Sequence, residues 1–354
     1  MADTLNDIRR KIDALDQRLV QLLSARARLA QQAWRAKNGA AAYKPEREAQ
    51  VLRRVRALNT GPLPGAALDR LFTEIMSACR ALEDQLTVAY LGPEGTFSQE
   101  AVIKHFGSAT GARPQASIDE VFRAVETGAA GYGVVPVENS TEGAVGRTLD
   151  LLLHTSARIC GEVMLPVRQC LMSTARSRDA IRTVYSHTQS LAQCQNWLSR
   201  HLPQAERVAV VSNAEAARLA GKDRKTAAIA SRTAAALYGL RLLARNIEDD
   251  PKNTTRFVVL GSEDVPPSGR DKTAMVLSTR NVPGAIHELL TPLARHGVSM
   301  TRLESRPART GRWEYLFYVD IEGHREDPRV ARALALLERK AAFLKILGSF
   351  PASP

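Results

Sequence analysis

The sequence predicts a multidomain chain: an all-α N-terminal domain (1–86), an α/β central domain (87–265) and an α+β, ferredoxin-like C-terminal domain (272–350). Three observations carry this division. Residues 1–86 hold an apolar repeat at spacings of three and four, with almost no strand-like run. At Thr87 the period changes, and short β-like runs begin to alternate with helical stretches. Beyond the Pro/Gly/charged stretch 263–272 the order reads strand, helix, strand, strand, helix, strand.

In chain order, Leu5, Ile8, Ile12, Leu15, Leu19, Leu22, Leu29 and Ala33 mark the stripe of one helix. Thr4 with Asp7 forms a weak capping box and Asn38-Gly39 a stop, so the helix runs from Thr4 to Lys37, roughly 50 Å at 1.5 Å per residue. A second helix starts near Pro45 and carries Val51, Leu52, Val55 and Leu58. A third starts near Pro64 and carries Leu68 through Leu86. Strands follow at 88–91, 132–137, 183–187, 207–212 and 256–261. The C-terminal order is strand 273–281, helix 284–297, strands 298–307 and 313–322, helix 327–341 and strand 343–349.

Composition bounds the function. Hydrophobic residues are 44% and charged residues 24%, enough for real cores, and no apolar run approaches the ~18 residues of a membrane span. The N-terminus is charged throughout without an apolar signal core, which predicts a cytoplasmic protein. Cys79, Cys160, Cys170 and Cys194 lie far apart and read as reduced, buried thiols, not as a metal or disulfide set. The 49 Lys+Arg exceed the 37 Asp+Glu by 12, yet the basic residues are scattered and aromatics are only 5%. Small anionic substrates fit that pattern better than nucleic acid does.

Arg26 occupies a slot that the helical stripe assigns to an apolar residue, where a lone arginine would merely snorkel. Arg9, Lys37 and Arg47 also flank the helical seams, and a buried cation needs an anion. Arg9 and Arg26 are 17 residues apart, about 25 Å along one helix, so no small metabolite touches both. Either only one contacts ligand, or each pocket borrows from a second chain. This segment resembles the all-helical class of chorismate mutase. The resemblance implies that Arg9 is lent by a partner chain, that Arg26, Lys37 and Arg47 hold the substrate carboxylates, and that Glu48 meets its hydroxyl. It puts Cys79 in the pocket where some relatives have Ser, and Glu83 against the ether oxygen of the breaking C–O bond.

The centre carries LGPEGTFS (91–98), VPVENSTEG (135–143), YSHTQSLAQC (185–194) and NTTRFVV (253–259), each a strand meeting a turn or a helix start. Separately these are caps and turns; together they gather hydroxyls, amides and one Arg at the strand ends of an open sheet, where such folds bind ligands. In this order they resemble prephenate dehydratase over about 87–262, which implies two α/β lobes like a periplasmic binding protein with a cleft between. The resemblance places Thr255 at the reaction centre as proton donor and Arg256 on a substrate carboxylate; His187, at the YSHTQ junction, is an alternative donor. It lines the cleft with Thr96, Ser98, Glu138, Asn139, Ser140, Ser186 and Gln189.

Segment 273–350 resembles an ACT domain. RNVPGAIHELL sets Asn281, Pro283, Gly284, Ala285 and Ile286 at a strand-to-helix turn, and LESRP supplies Glu304, Ser305 and Arg306. The resemblance implies an effector site for L-phenylalanine at a chain–chain seam, in a homodimer or larger homo-oligomer.

The combined expectation is a two-step enzyme of phenylalanine biosynthesis that takes chorismate through prephenate to phenylpyruvate, without metal or organic cofactor. Alternatives are an arogenate-using dehydratase, a non-catalytic two-lobed sensor, and a mutase fused to a dehydrogenase; the last is weakened by the lack of a dinucleotide fingerprint. A carboxylic acid can donate to the ether oxygen only when protonated. Mutase activity is therefore expected to fall as pH rises, and Glu83→Gln to flatten the profile. A flat wild-type pH–rate curve would count against this role.

Overall fold

The computed structural model describes residues 3–36, 43–280, 282–307 and 315–353. Three helices open the chain: α1 (Leu5–Ala36), α2 (Pro45–Leu58) and α3 (Gly65–Ala81). The first matches its predicted stripe, with Thr4 and Asp7 bonded reciprocally at its start. Lys37 lies outside the described residues. The third helix stops five residues short of Leu86, its last turn closing into Leu82 and Glu83, so Glu83 sits in a turn and not on the helix.

The first lobe is built from β1 (Thr87–Leu91), α4 (Phe97–Phe106), β2 (Gly111–Gln115), α5 (Ile118–Glu126), β3 (Tyr132–Asn139), β4 (Gly143–Ala144), α6 (Gly146–His154) and β5 (Arg158–Pro166). The second contains β6 (Cys170–Ser173), β7 (Thr183–Ser186), α7 (Thr188–Gln193), α8 (Gln195–His201), β8 (Glu206–Ala209), α9 (Asn213–Ala220), β9 (Thr226–Ala230), α10 (Arg232–Leu237) and β10 (Arg241–Ala244). The chain then returns to the first lobe as β11 (Thr254–Gly261). The sheet orders are β2-β1-β3-β11-β5, with β4 beside β3, and β10-β6-β9-β7-β8. Two crossing segments form the hinge, tied by Val167 N–H to the Asn253 carbonyl and Ile247 N–H to the Gln169 carbonyl, both at 2.9 Å.

The last domain runs β12 (Asp271–Ser278), α11 (Ala285–Arg295), β13 (Met300–Pro307), β14 (Tyr315–Glu322), α12 (Pro328–Lys340) and β15 (Phe343–Pro351), with sheet order β13-β14-β12-β15. One face of this sheet takes α11 and α12. The other packs on the first lobe, where Val276, Tyr318 and Phe350 share a core with Val137, Leu149 and Val258. Gly348 permits that approach, since a Cβ there would collide with the Ile159 backbone. Lys345 Nζ docks on the last carbonyls of α6, reaching Thr155 O at 2.7 Å.

All four cysteines are free and buried, and burial pushes the Cys160 thiol up to about 12. No helix among the described residues is long and apolar enough to cross a membrane.

Tyr43 joins the helical domain to the first lobe. It is buried among Phe106 and Tyr132, and its hydroxyl lies 2.7 Å from His105 Nε2. Burial takes the His105 imidazole down to about 4. The unfolded chain protonates this group near its ordinary value of about 6.5 while the folded chain resists, so stability is complete above that value and falls as pH drops toward 4. The expected loss is roughly 3 kcal/mol across this window. Urea midpoints at about pH 7 and about pH 4.5 should fall further apart in wild type than in His105→Gln; equal separations would remove His105 as the source.

Candidate functional site

The cleft between the lobes encloses about 570 Å³. Its walls are made where strands run into helices. Four such junctions converge on it, each opened by an N-cap side chain: Thr96 before α4, His187 before α7, Ser212 before α9 and Ser231 before α10. Each cap accepts the N–H two or three residues on, Ser212 at 3.0 Å and Ser231 at 3.2 Å. First-turn amides of a helix lack intrahelical partners and carry the positive end of the backbone dipole, with α4 and α9 the longer contributors. No Lys or Arg is among the described residues lining this cleft. The groups it offers an anion are backbone amides and hydroxyls.

Thr255 and Asn139 form the floor, facing each other across β11 and β3. Asn139 Nδ2 donates to Thr255 Oγ1 and to Asn253 Oδ1, both at 2.9 Å, while its Oδ1 accepts the N–H groups of Thr141 and Glu142. One buried amide thus fixes both the Thr255 hydroxyl and the turn after β3. The lobes touch over the cleft: Ser231 donates to the Gly95 carbonyl at 3.0 Å and Thr233 to Glu100 at 2.7 Å.

Of the residues expected here, Thr96, Ser98, Asn139, Gln189 and Thr255 line the cleft, as does His187. Four do not. Arg256 points to the opposite face of β11, because successive strand residues alternate and Thr255 already takes the cleft side. It is buried, its Nε donating to Glu162 at 2.9 Å and its Nη1 to Asp320. Glu138 alternates with Asn139 in the same way and accepts from Arg302 Nε at 2.8 Å. Ser140 accepts the Thr254 N–H at 3.0 Å. Ser186 is fully buried, its hydroxyl 2.7 Å from the Ile229 carbonyl and 2.9 Å from Asn213 Oδ1. Sequence reasoning missed Gln169, Gln193, Ser212, Asn213 and Ser231, all on the cleft wall. For Ser212 and Ser231 a signal existed: each follows an apolar run and precedes an alanine-rich helix.

In the helical domain, Arg26 Nη1 lies 3.1 Å from the buried Cys79 Sγ, while Arg9 and Arg47 are exposed. Glu83 is half-buried in the turn after α3. Glu48 pairs with Arg80, an arginine that is itself buried, donates to the Phe106 carbonyl and lies over the Tyr43 ring. α1 buries none of its residues in this chain; Leu5 and Leu29 are each 64% exposed.

In the C-terminal domain, Gly284 opens α11 with φ +78° and, with Ala285, Ile286, Tyr315 and Phe317, borders a hollow of about 210 Å³. Pro283 sits in the preceding turn, and Asn281 lies outside the described residues. Glu304 and Arg306 share the face of β13 that meets the first lobe, Arg306 pairing with Asp150 at 3.3 Å. Ser305 takes the other face, opposite Phe317. Among the described residues no three metal-ligating side chains cluster.

Three family models match the chain in order: Chorismate mutase type II over residues 8–84, Prephenate dehydratase over 88–265 and ACT domain over 273–337. A bifunctional chorismate mutase/prephenate dehydratase of Stutzerimonas stutzeri is 52% identical over 358 residues, covering 99% of this chain and 98% of that protein. The chain belongs to the bifunctional chorismate mutase/prephenate dehydratase family. Its relative of the same description in Pseudomonas aeruginosa is 51% identical over 357 residues, 99% of this chain and 98% of that one. A prephenate dehydratase of Arthrobacter aurescens, solved in complex with L-Phe, superposes with a TM-score of 0.70 at 34% identity, covering 75% of this chain and 90% of that one. This family member thus joins an isomerase domain, a lyase domain and an ACT domain in one polypeptide.

Arg80 connects the first two domains, so its loss should be felt in both. Arg80→Met leaves Glu48 without its cation; burial already raises that carboxyl, with Arg80 the main opposing influence. Stability is expected to drop by about 3 kcal/mol in urea unfolding, and a loss below about 1 kcal/mol would show the pair to be dispensable.

Proposed function

We propose that the helical domain rearranges chorismate to prephenate, that the cleft converts prephenate to phenylpyruvate, and that L-phenylalanine bound at the ACT domain restrains the second step. The observation that carries the reading is the cleft itself: a Thr255 hydroxyl oriented by Asn139, facing convergent helix N-termini.

Prephenate is a dianion. Its carboxylates suit the first-turn amides of α4 and α9, behind the caps Thr96 and Ser212. In the reaction the bond from ring carbon to carboxylate breaks and CO₂ departs; the electron pair moves through the ring and expels the C4 hydroxyl, which takes a proton and leaves as water. Asn139 donates to Thr255 Oγ1, so the hydroxyl hydrogen is free to point at the leaving oxygen. Aromatisation supplies the driving force, and the protein's part is orientation and one proton.

A Claisen rearrangement needs the chair conformer held and the ether oxygen stabilised. Arg26, Lys37 and Arg47 hold the carboxylates in this reading, with Glu83 at the ether oxygen and Glu48 at the hydroxyl. Arg9 is too far along α1 to serve the same pocket, and the apolar stripe of α1 has no cover among the described residues of one chain. Both facts support a homodimer in which α1 of each copy covers the other and Arg9 crosses over. The ACT hollow at Gly284 fits an amino acid's polar ends, the class seen in the Arthrobacter aurescens complex. The setting is the cytoplasm.

Incubation with chorismate should yield phenylpyruvate, followed by its ultraviolet absorbance, and added L-phenylalanine should slow it. Thr255→Ala should abolish phenylpyruvate formation from prephenate while sparing prephenate formation from chorismate. Near-normal phenylpyruvate formation by Thr255→Ala would refute the assignment.

A further inference from the structure

The β3–β11 pair separates the cleft from the ACT domain, and its two faces carry different groups. Thr255 stands opposite Asn139 and Arg256 opposite Glu138. The first pair looks into the cleft. The second leaves its own sheet: Arg256 reaches Asp320 on β14 as well as Glu162 on β5, and Glu138 holds Arg302 on β13. Glu162 also takes Lys272 Nζ at 2.8 Å and the Ser353 N–H at 2.9 Å. Two cations therefore balance two carboxylates, and Arg256 has no charge to spare for a substrate. Withdrawing it would strand the buried Asp320 carboxylate and leave Glu162 with Lys272 as its one cation, at a cost of several kcal/mol.

Two details mark this contact as a place where position is set. The β3–β11 ladder shifts register between Arg256 and Phe257, so on that side the strand end that carries Thr255 is set off by an irregularity, while the β5 side pairs it regularly. Arg256, Asp320 and Arg302 border one gap of about 10 Å³, and Arg302 Nη2 is buried there without a partner. The ion pairs add a side-chain hold from the ACT sheet at the irregular β3 side.

We propose that Arg256 is a positioning residue for the dehydratase step, clamped by Asp320 of the ACT domain so that Thr255 is held in register, and that Arg302–Glu138 transmits effector occupancy to the same strand end. This rests on the reading of Thr255 as the reaction centre. It moves Arg256 from substrate ligand to interdomain clamp. It also gives the effector a short physical route, since β13 and β14 each grip a residue adjacent to the cleft floor.

Asp320→Asn in the full-length chain is the test, because Asp320 does not line the cleft. The dehydratase kcat is expected to fall about tenfold or more, with KM for prephenate and the mutase rate each held within about twofold. A raised KM at unchanged kcat would overturn the clamp by making Arg256 a substrate ligand, and unchanged kcat and KM would overturn it outright. Should Asp320→Asn fail to fold by circular dichroism, Arg256→Lys reads the same split, since it keeps the charge and loses the fork. Arg302→Met tests transmission: dehydratase kcat without effector should stay within about twofold, while the L-phenylalanine concentration for half-inhibition rises at least about fivefold. Unchanged sensitivity would overturn that half. An active Thr255→Ala would remove the reading beneath the proposal; an inactive one beside an indifferent Asp320→Asn would remove the clamp alone.

Discussion

The alternation of side chains along one pair of β-strands organises the central domain. On β3 and β11, Asn139 and Thr255 face the cleft while Glu138 and Arg256, one residue away on each strand, face the ACT sheet. A strand cannot put neighbouring side chains on the same side. A Thr-Arg dipeptide in such a strand is thus committed to two environments, a wet cleft and a dry interdomain seam. The seam is strongly held: the Arg256 guanidinium, pulled up by Asp320 and Glu162 against the burial that opposes its charge, keeps the Glu162 carboxyl below its ordinary value despite burial.

The two candidate sites offer an anion different groups. The helical domain sets guanidinium groups along its seams, Arg26 reaching inward to Cys79. The described lining of the cleft has no such group and relies on strand-to-helix junctions. The difference follows from architecture. A bundle of antiparallel helices presents side chains to its interior, so charge there has to be carried by side chains. An open α/β sheet presents helix starts at its strand ends, so backbone amides do the same work. The net charge of +12 is accordingly a poor guide to the cleft.

The single chain leaves its longest helix bare. α1 spans 32 residues and buries none of them, although its apolar stripe is regular enough to predict the helix within a residue at its described end. An amphipathic helix without cover gains little over its unfolded form in water, because most helical stability comes from packing of the apolar face. The stripe is therefore an apolar surface left uncovered by the described residues of one chain.

Local order was written in the sequence. The α1 stripe, the change of period at Thr87 and the βαββαβ order of the last domain each depend on neighbours within a few residues, and each appears where the pattern put it. Thr96 caps α4 and Asn139 holds the turn after β3, as such residue types do, while Ser98 and Thr255 line the cleft from inside α4 and β11. That Thr255 and Arg256 could not share a face was also legible, from alternation alone, and the family resemblance hid it. Which of the two would face the cleft was not legible. That depends on how the ACT sheet packs against β3, β11 and β5, through Asp320, 64 positions from its partner Arg256, Arg302, 164 positions from its partner Glu138, and Gly348, brought in by a backbone approach that only tertiary packing creates. The same holds for Arg80, an unremarkable position on α3 until Glu48, Tyr43 and the end of α4 close around it. Sequence fixes what a few adjacent residues can settle by sterics and hydrogen bonding. Partners of buried charges are chosen by the packing of distant segments, because only there does removal from water force each charge to find its opposite.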